Sequence, residues 1–288
     1  MIGIGIPQTY DGQPTNRHEL TAFLASAEAA GYDSAWVADG PLDQAAALDP
    51  LSVLAVAAAH TTRLSLGASV LVSTRYEPQM LARCLGSIDW LSEGRVTLGL
   101  GLGSDAPADS HGAVSRGRRF EESIAELRQS WSGPAGFPAR GPLRVWVGAG
   151  VPGALRRAAR IADGWISSGR ANGSHFTGQL ATVRSALREH GRTADNFTIA
   201  KRCYIAVDQR PADIEAWFRS TAGTGAPPDD VVITGDAAEV ERRLVEMRTF
   251  GAQELLLQTV GRDERAQMEA LAAHGTVQRL QQTHREAE

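Results

Sequence analysis

The sequence predicts an α/β fold, a single closed (β/α)8 barrel spanning residues 1–288. Three observations carry this. Short apolar strands alternate with amphipathic helices along the whole chain, the series holds eight strand–helix units, and several helices start and stop on cap residues. Strands each followed by a helix argue for a parallel sheet covered on its outer side. Eight such units in 288 residues fit closure better than two doubly wound halves.

The elements follow in order. IGIGI, 2–6, is the first strand, and a helix over 18–30 places Leu20, Phe23, Leu24 and Ala27 at helical spacing before Gly31 stops it. SAWVAD, 34–39, is the second strand. The segment 49–62 opens on Asp49 as a cap with Pro50 at the first helical position, a strong start signal. The third strand covers 63–72, and the third helix, 78–94, ends on a glycine. RVTLGLGLG, 95–103, is the fourth strand. A helix over 117–131, a fifth strand at 143–149, a helix over 154–163 and a sixth strand at 164–169 continue the series. After a helix over 175–190 comes the seventh strand, 197–207. A helix near 211–219 and a Gly/Pro-rich link lead to a helix over 236–251 capped by Asp236. The eighth strand is 254–260 and the last helix about 263–273. The polar tail, about 275–288, is expected to fray. The segments 104–116 and 132–142 read as irregular. The first follows the C-terminal end of the fourth strand, the end at which barrels hold their chemistry.

Composition narrows the function classes. Apolar residues make up 43% and charged residues 22%, and the net charge is −4 with no basic block, so nothing asks for nucleic acid or an anionic membrane as partner. Cys84 and Cys203 are too few for a disulfide framework and lack metal-ligand spacing. Both are expected as buried small hydrophobes in a reducing compartment, and no metal site is expected. The opening MIGIGIPQTYDG lacks the pattern of a signal peptide and no run reaches membrane-span length, so the expected location is cytoplasmic.

Gly99, Gly101 and Gly103 look at first like a dinucleotide fingerprint. That fingerprint, G-x-G-x-x-G, opens a helix, whereas here the glycines sit two apart inside a strand and share one face. They provide either tight packing near the barrel axis or clearance for a ligand, the second being favoured for Gly103 at the strand end. Trp36, Trp146 and Trp165 fall in strands and are expected to pack the barrel. Trp90 and Trp131 fall in helices and are expected to seal the outer layer.

Several segments together carry a resemblance. AGYDSAWVAD, the run DPLSVLAVAAAHTTRLSLGASVLVSTRYEPQMLARCLGSIDWLSEGRVTLGLGLG, RGRRFEESIAELRQSW, LRVWVGAGVPGALRRAARIADGWI and the late TGDAAEVERRLVEMRTFGAQELLLQ resemble the bacterial luciferase-like flavin and deazaflavin oxidoreductases over nearly the whole chain. The resemblance implies a TIM barrel with its cofactor at the C-terminal mouth. It points most to the branch that uses coenzyme F420, with FMN as the alternative. The function so implied is hydride transfer between F420 and a small organic substrate. The alternatives are an FMN-dependent two-component monooxygenase, fed by a separate flavin reductase, and a barrel that binds flavin without turnover. A homodimer is implied as well, through outer helices of the early half.

Site residues come from the resemblance too. Relatives often carry a non-proline cis peptide behind the ring at the step matching Ser69–Val70. The turn Gly148-Ala149-Gly150-Val151 before a helix start is a natural anion site, and the resemblance places the cofactor phosphate there. Gly103 at the end of the fourth strand and Ser104 in the loop just past it are read as cofactor-binding. Asp39 matches an acidic residue that relatives follow with histidine; here Gly40 follows, so the imidazole is missing. Asp39 is therefore read as catalytic acid, base or orienting carboxylate, or else as a ligand of loop N–H groups. His111, in the loop after the fourth strand, is the histidine placed near the mouth and is read with Asp39 as a catalytic candidate. Arg75 and Tyr76 are further candidates for the pocket edge.

Overall fold

The computed structural model describes residues 1–10, 13–40, 47–103, 112–132, 140–141, 143–171, 173–222, 227 and 230–285. Eight parallel strands close on themselves: β1 Ile2–Gly5, β2 Ser34–Val37, β3 Ser65–Ala68, β4 Val96–Gly101, β5 Arg144–Gly148, β6 Gly164–Ser167, β7 Thr198–Val207 and β8 Glu254–Thr259. Closure is made where Gly3 pairs with both Ser34 of β2 and Leu256 of β8, and where β7 bridges β6 and β8. The helices are α1 Arg17–Ala29, α2 Pro50–His60, α3 Pro78–Leu91, α4 Gly112–Ser132, α5 Pro152–Ile161, α6 Gly173–Glu189, α7 Pro211–Ala222, α8 Ala237–Phe250, α9 Glu264–Ala273 and α10 Thr276–Arg285. None is long and apolar enough to cross a membrane.

Caps set the helix starts as the residue types dictate. Asp49 accepts from the Ser52 N–H at 2.8 Å, and Asp236 from that of Glu239 at 2.8 Å. Asn16 and Glu19 form a reciprocal capping box on α1. Each such cap contributes about 1 kcal/mol. Outward-facing Ile2, Ile4, Leu66, Leu98 and Val145 are buried under the helices.

The barrel interior is built differently from a layer of aliphatic side chains. Trp36 and Trp146 stack across it with ring centroids 5.3 Å apart, packed with Ile166, Ala200 and Leu256. Room for the indoles comes from facing glycines. A Cβ on Gly67 would lie 2.3 Å from Trp36, and one on Gly164 would lie 2.6 Å from Trp146.

The chain departs from expectation in several places, one being that α4 begins at Gly112, inside the segment expected to be irregular. The third strand is not continuous over 63–72: it breaks after Ala68, and the chain re-pairs with β4 through Leu71–Val72. Val232–Gly235, expected within a link, is a short strand against the second half of β7, where β6 no longer pairs. The tail expected to fray forms α10 up to Arg285, because Val277 and Leu280, one turn apart, are fully buried. Cys84 is exposed rather than buried, and Trp90 is 48% exposed beneath the Arg140 guanidinium rather than sealing a layer; Cys203 and Trp131 are buried as expected.

Candidate active site at the C-terminal mouth

The break in the third strand builds the floor of the mouth. The Ser69–Val70 peptide is cis. Ser69 donates its N–H to the Val37 carbonyl at 2.8 Å, and the Val70 carbonyl accepts from the Asp39 N–H at 3.3 Å. The Val70 side chain enters the barrel between β4 and β5. A Cβ on Gly101 would lie 2.7 Å from one Val70 methyl, and one on Gly148 would lie 2.9 Å from the other. Gly99 is bare for a harder reason: its Cβ would lie 1.9 Å from the Ala68 carbonyl oxygen. Gly99 and Gly101 are thus packing glycines around the break. Gly103, with φ +75°, turns the chain out of β4 against Val72.

Asp39 stands at the edge of this floor, and its carboxylate is fully engaged. One oxygen accepts from the Val72 N–H at 2.8 Å and the other from Arg75 Nη1 at 2.5 Å; its side chain is 5% exposed. The same Nη1 donates to the Gly40 carbonyl. Tyr76 also hydrogen-bonds to Asp39, and burial, with the Asp39 charge second, pushes its phenol above the usual range. Asp39 therefore locks the turn after β3 to the end of β2. Among the described residues nothing lies within 4 Å of a Cβ at Gly40, the position that carries an imidazole in the pattern of the resemblance.

Across the mouth, the turn after β5 leads into α5. The Ala149 carbonyl accepts from Trp165 Nε1 at 2.9 Å, and Gln179 of α6 donates to the Gly150 carbonyl at 3.2 Å while accepting from Ser167 Oγ. Val151 is the N-cap and makes no side-chain capping bond, Pro152 has no N–H, and Gly153 is exposed with open space where a side chain would stand. The Ala154 and Leu155 N–H groups both donate to the Val151 carbonyl at 3.0 Å, so this helix start offers an anion the Gly153 N–H and the positive dipole end.

The structure adds groups that no sequence signal singled out. Arg202 of β7 lies inside the barrel, donating Nη1 to the Ser69 carbonyl at 3.0 Å and Nη2 to Gln258 Oε1 at 3.1 Å, with its guanidinium 5.3 Å from the Tyr204 ring. It has no carboxylate partner among the described residues. Its neighbour Lys201 faces outward and is 2% exposed, donating Nζ to the carbonyls of Ser168 and Arg202; burial pushes its pKa down. The available signal was the Lys–Arg pair within the otherwise apolar FTIAKRCYIAV: strand alternation puts one of two adjacent charges inside.

Ser69, Val70, Gly103, Gly148, Ala149, Gly150, Val151 and Asp39 all lie at strand ends on this face. Ser104 and His111 lie outside the described residues. Among the described residues no group of His, Cys, Asp and Glu side chains is placed to hold a metal ion.

Comparison with known proteins bears on this mouth. A family model described as luciferase-like monooxygenase matches residues 2–287. The F420-dependent glucose-6-phosphate dehydrogenase of Beutenbergia cavernae is 29% identical over 250 residues, which is 78% of this chain and 74% of that protein. The F420-dependent hydroxymycolic acid dehydrogenase of Mycobacterium tuberculosis is 29% identical over 262 residues, 80% of this chain and 71% of that one. The structure of an F420-dependent secondary alcohol dehydrogenase in complex with an F420-acetone adduct superposes with a TM-score of 0.79 at 15% identity, covering 96% of this chain and 98% of that chain, which is a likeness of fold.

Proposed function

The chain belongs to the luciferase-like monooxygenase family, and on that premise we propose that it is an F420-dependent oxidoreductase, moving a hydride between the deazaflavin and a small organic substrate at the C-terminal mouth. The observation that carries the reading is the mouth itself: an apolar floor made by Val70 over bare Gly101 and Gly148, facing an uncapped helix start at Val151–Gly153. A flat ring needs the first and an anionic tail the second. Curated relatives that carry F420 in their names support the choice of cofactor.

Bound F420 supplies a carbon that gives or takes hydride. The chain's own residues do the positioning. Val70, packed over Gly101 and Gly148, would support the ring as an apolar surface. The backbone at Gly150–Gly153, fixed by Gln179, holds the phosphate end. Arg202, which among the described residues bonds a carbonyl and an amide and no carboxylate, would steady negative charge that develops on a substrate oxygen. Asp39 is already engaged by Val72 and Arg75 and keeps the floor in place.

The reading includes a homodimer. Met80, Cys84, Ser87 and Leu91 form one stripe on α3, with Met80 58% and Leu91 67% exposed, and Ala55, Val56 and Ala59 line the neighbouring face of α2. Such a face is suited to a second copy.

An anaerobic titration with F420 and, separately, FMN tests the cofactor, with Trp36 and Trp146 beneath Val70 as fluorescent reporters. Tight F420 binding with weak FMN binding is expected. The reverse preference makes the protein a two-component monooxygenase that needs a reductase, and binding of neither leaves a barrel without a redox role.

A further inference from the structure

The guanidinium of Arg202 stands inside the barrel, and among the described residues no counter-charge meets it. Ala200, two residues earlier on β7, packs with the stacked indoles, so Arg202 lies on the same inward face, one step nearer the mouth. It is half-buried, and because Trp36 and Trp146 close the barrel beneath it, the surface it keeps opens toward the mouth. Nη1 donates to the Ser69 carbonyl at 3.0 Å and Nη2 to Gln258 Oε1 at 3.1 Å, which strings the group between β3 and β8. Nε is buried with no partner among the described residues. The acceptors it has are thus both neutral.

The charged groups around it are committed elsewhere. Asp39 holds Arg75 at 2.5 Å and the Val72 N–H, a pair that is neutral as a whole. Lys201 faces outward and donates to the Ser168 carbonyl. Glu254 lies below the indoles, accepting from Ser34. The Gln258 amide that touches Arg202 is itself fixed: its Nε2 donates to the Thr259 carbonyl at 3.3 Å, and bare Gly5 leaves it room, since a Cβ there would lie 2.6 Å from Gln258 Oε1. A carboxylate of the same size at 258 would neutralise the guanidinium; the amide positions it and leaves the charge available.

We propose that Arg202 is the substrate's anchor and that the substrate carries a carboxylate, which takes the counter-charge position at Arg202 while the rest of the molecule lies over Val70. This rests on the F420-dependent reading of the mouth and adds a substrate class to it. A simple alcohol or ketone offers one neutral oxygen and leaves the guanidinium unbalanced, whereas a carboxylate brings the charge and two acceptor oxygens. The anionic tail of the cofactor is drawn to the start of α5, while Arg202 is tied to Ser69, the residue next to Val70. Gln258 is a positioning residue that holds the guanidinium in place.

Calorimetric titration of the full chain with isobutyrate and benzoate, each against its amide, tests this with and without saturating F420. The acids should saturate one site and bind about tenfold or more tightly than the amides, the scale of a charge-assisted hydrogen bond. Arg202→Gln should bring the acids down to the level of the amides, and Arg202→Lys should recover part of the difference. Gln258→Glu, which gives the guanidinium a carboxylate of its own, should abolish acid binding with the melting temperature kept or raised. Arg144→Gln, exposed at the opposite end of the barrel, should change nothing. F420 titrated into the same variants should bind Arg202→Gln as it binds the parent. Acids that bind no better than amides in either form, acid affinity unchanged in Arg202→Gln and Gln258→Glu, or a loss in Arg202→Gln confined to F420 would each overturn the proposal. Acids that bind through Arg202 in a chain that does not bind F420 would uphold the anchor and remove the F420 reading alone.

Discussion

Replacing Gly101 by alanine adds one methyl group at the floor of the mouth. The new Cβ would lie 2.7 Å from a Val70 methyl, 0.7 Å inside the 3.4 Å at which ordinary contact begins (3.4 − 2.7). Val70 has no easy retreat, since its side chain is β-branched and its other methyl faces Gly148 at 2.9 Å from the position of a Cβ there. The Gly101 backbone is not in the left-handed region, so the penalty is steric alone. Overpacking of this kind costs about 1–3 kcal/mol. At a few degrees per kcal/mol, thermal unfolding should move down by about 2–10 °C. Affinity for F420 should fall with it, because the group displaced is the one under the ring. Calorimetric melts of Gly101→Ala, Val70→Ala and the double variant decide the matter. Removing the Val70 methyls should rescue much of the loss, giving a favourable coupling of about 0.5–3 kcal/mol. A melting temperature unchanged in Gly101→Ala, or strict additivity in the double variant, would show that Val70 does not rest on Gly101.

Three further outcomes follow from named contacts. Asp39→Asn removes the carboxylate to which Arg75 Nη1 and the Val72 N–H donate; denaturant titration should show a loss of about 1.5–3 kcal/mol, and the Tyr76 phenol should titrate at lower pH in a spectrophotometric series. Glu264, pushed up to about 7 by burial and bonded among the described residues to Trp217 Nε1 at 2.9 Å, holds its proton longer folded than unfolded. Stability should therefore be greatest below pH 4.5 as far as this group goes, fall as pH rises toward 7, and level off above, by at most about 3 kcal/mol; Glu264→Gln should remove that slope from urea midpoints measured across the interval, and parallel curves for the two proteins would refute it. Met80→Glu with Leu91→Glu should convert a dimer to a monomer in sedimentation velocity without loss of F420 binding, whereas a monomeric parent would refute the interface.

Much of the fold was legible because local signals agreed with one another. Asp49 before Pro50, Asp236 before α8 and Gly251 after it (φ +114°) mark boundaries by backbone chemistry that does not depend on tertiary context. The elements that escaped are those decided by few residues. α10 rests on Val277 and Leu280, and ten polar-dominated residues conceal a two-residue stripe. Val232–Gly235 is a strand only because β7 outlasts its pairing with β6, a fact of register that no window contains. In the site, nothing in the pair Ser-Val distinguishes a cis peptide from an ordinary strand, so the floor was readable through resemblance alone. Arg202 was readable in principle: with Ala200 packed inside, period two puts Arg202 inside as well. Cys84 was misread by residue type, although its spacing of four from exposed Met80 put it on the outer face.

The glycines explain why one barrel has two separated ends. A barrel of this size is ordinarily filled by layers of branched aliphatic side chains from alternate strands. Here Trp36 and Trp146 do much of that filling, and two large flat groups fit only where neighbouring strands present nothing. Gly3 and Gly67 clear Trp36, and Gly164 clears Trp146. Above the indoles a second set, Gly101 and Gly148, clears Val70, while Gly5 clears Gln258, which holds Arg202 in turn. The stacked pair forms a partition: polar groups on its upper side serve the mouth, and those on its lower side serve Glu254. It follows that alanine at Gly67, whose Cβ would lie 2.3 Å from the Trp36 ring, should disturb both ends together, whereas alanine at Gly101 should disturb one. That contrast separates a partition from a general loosening of the core, which would spread the effect of both.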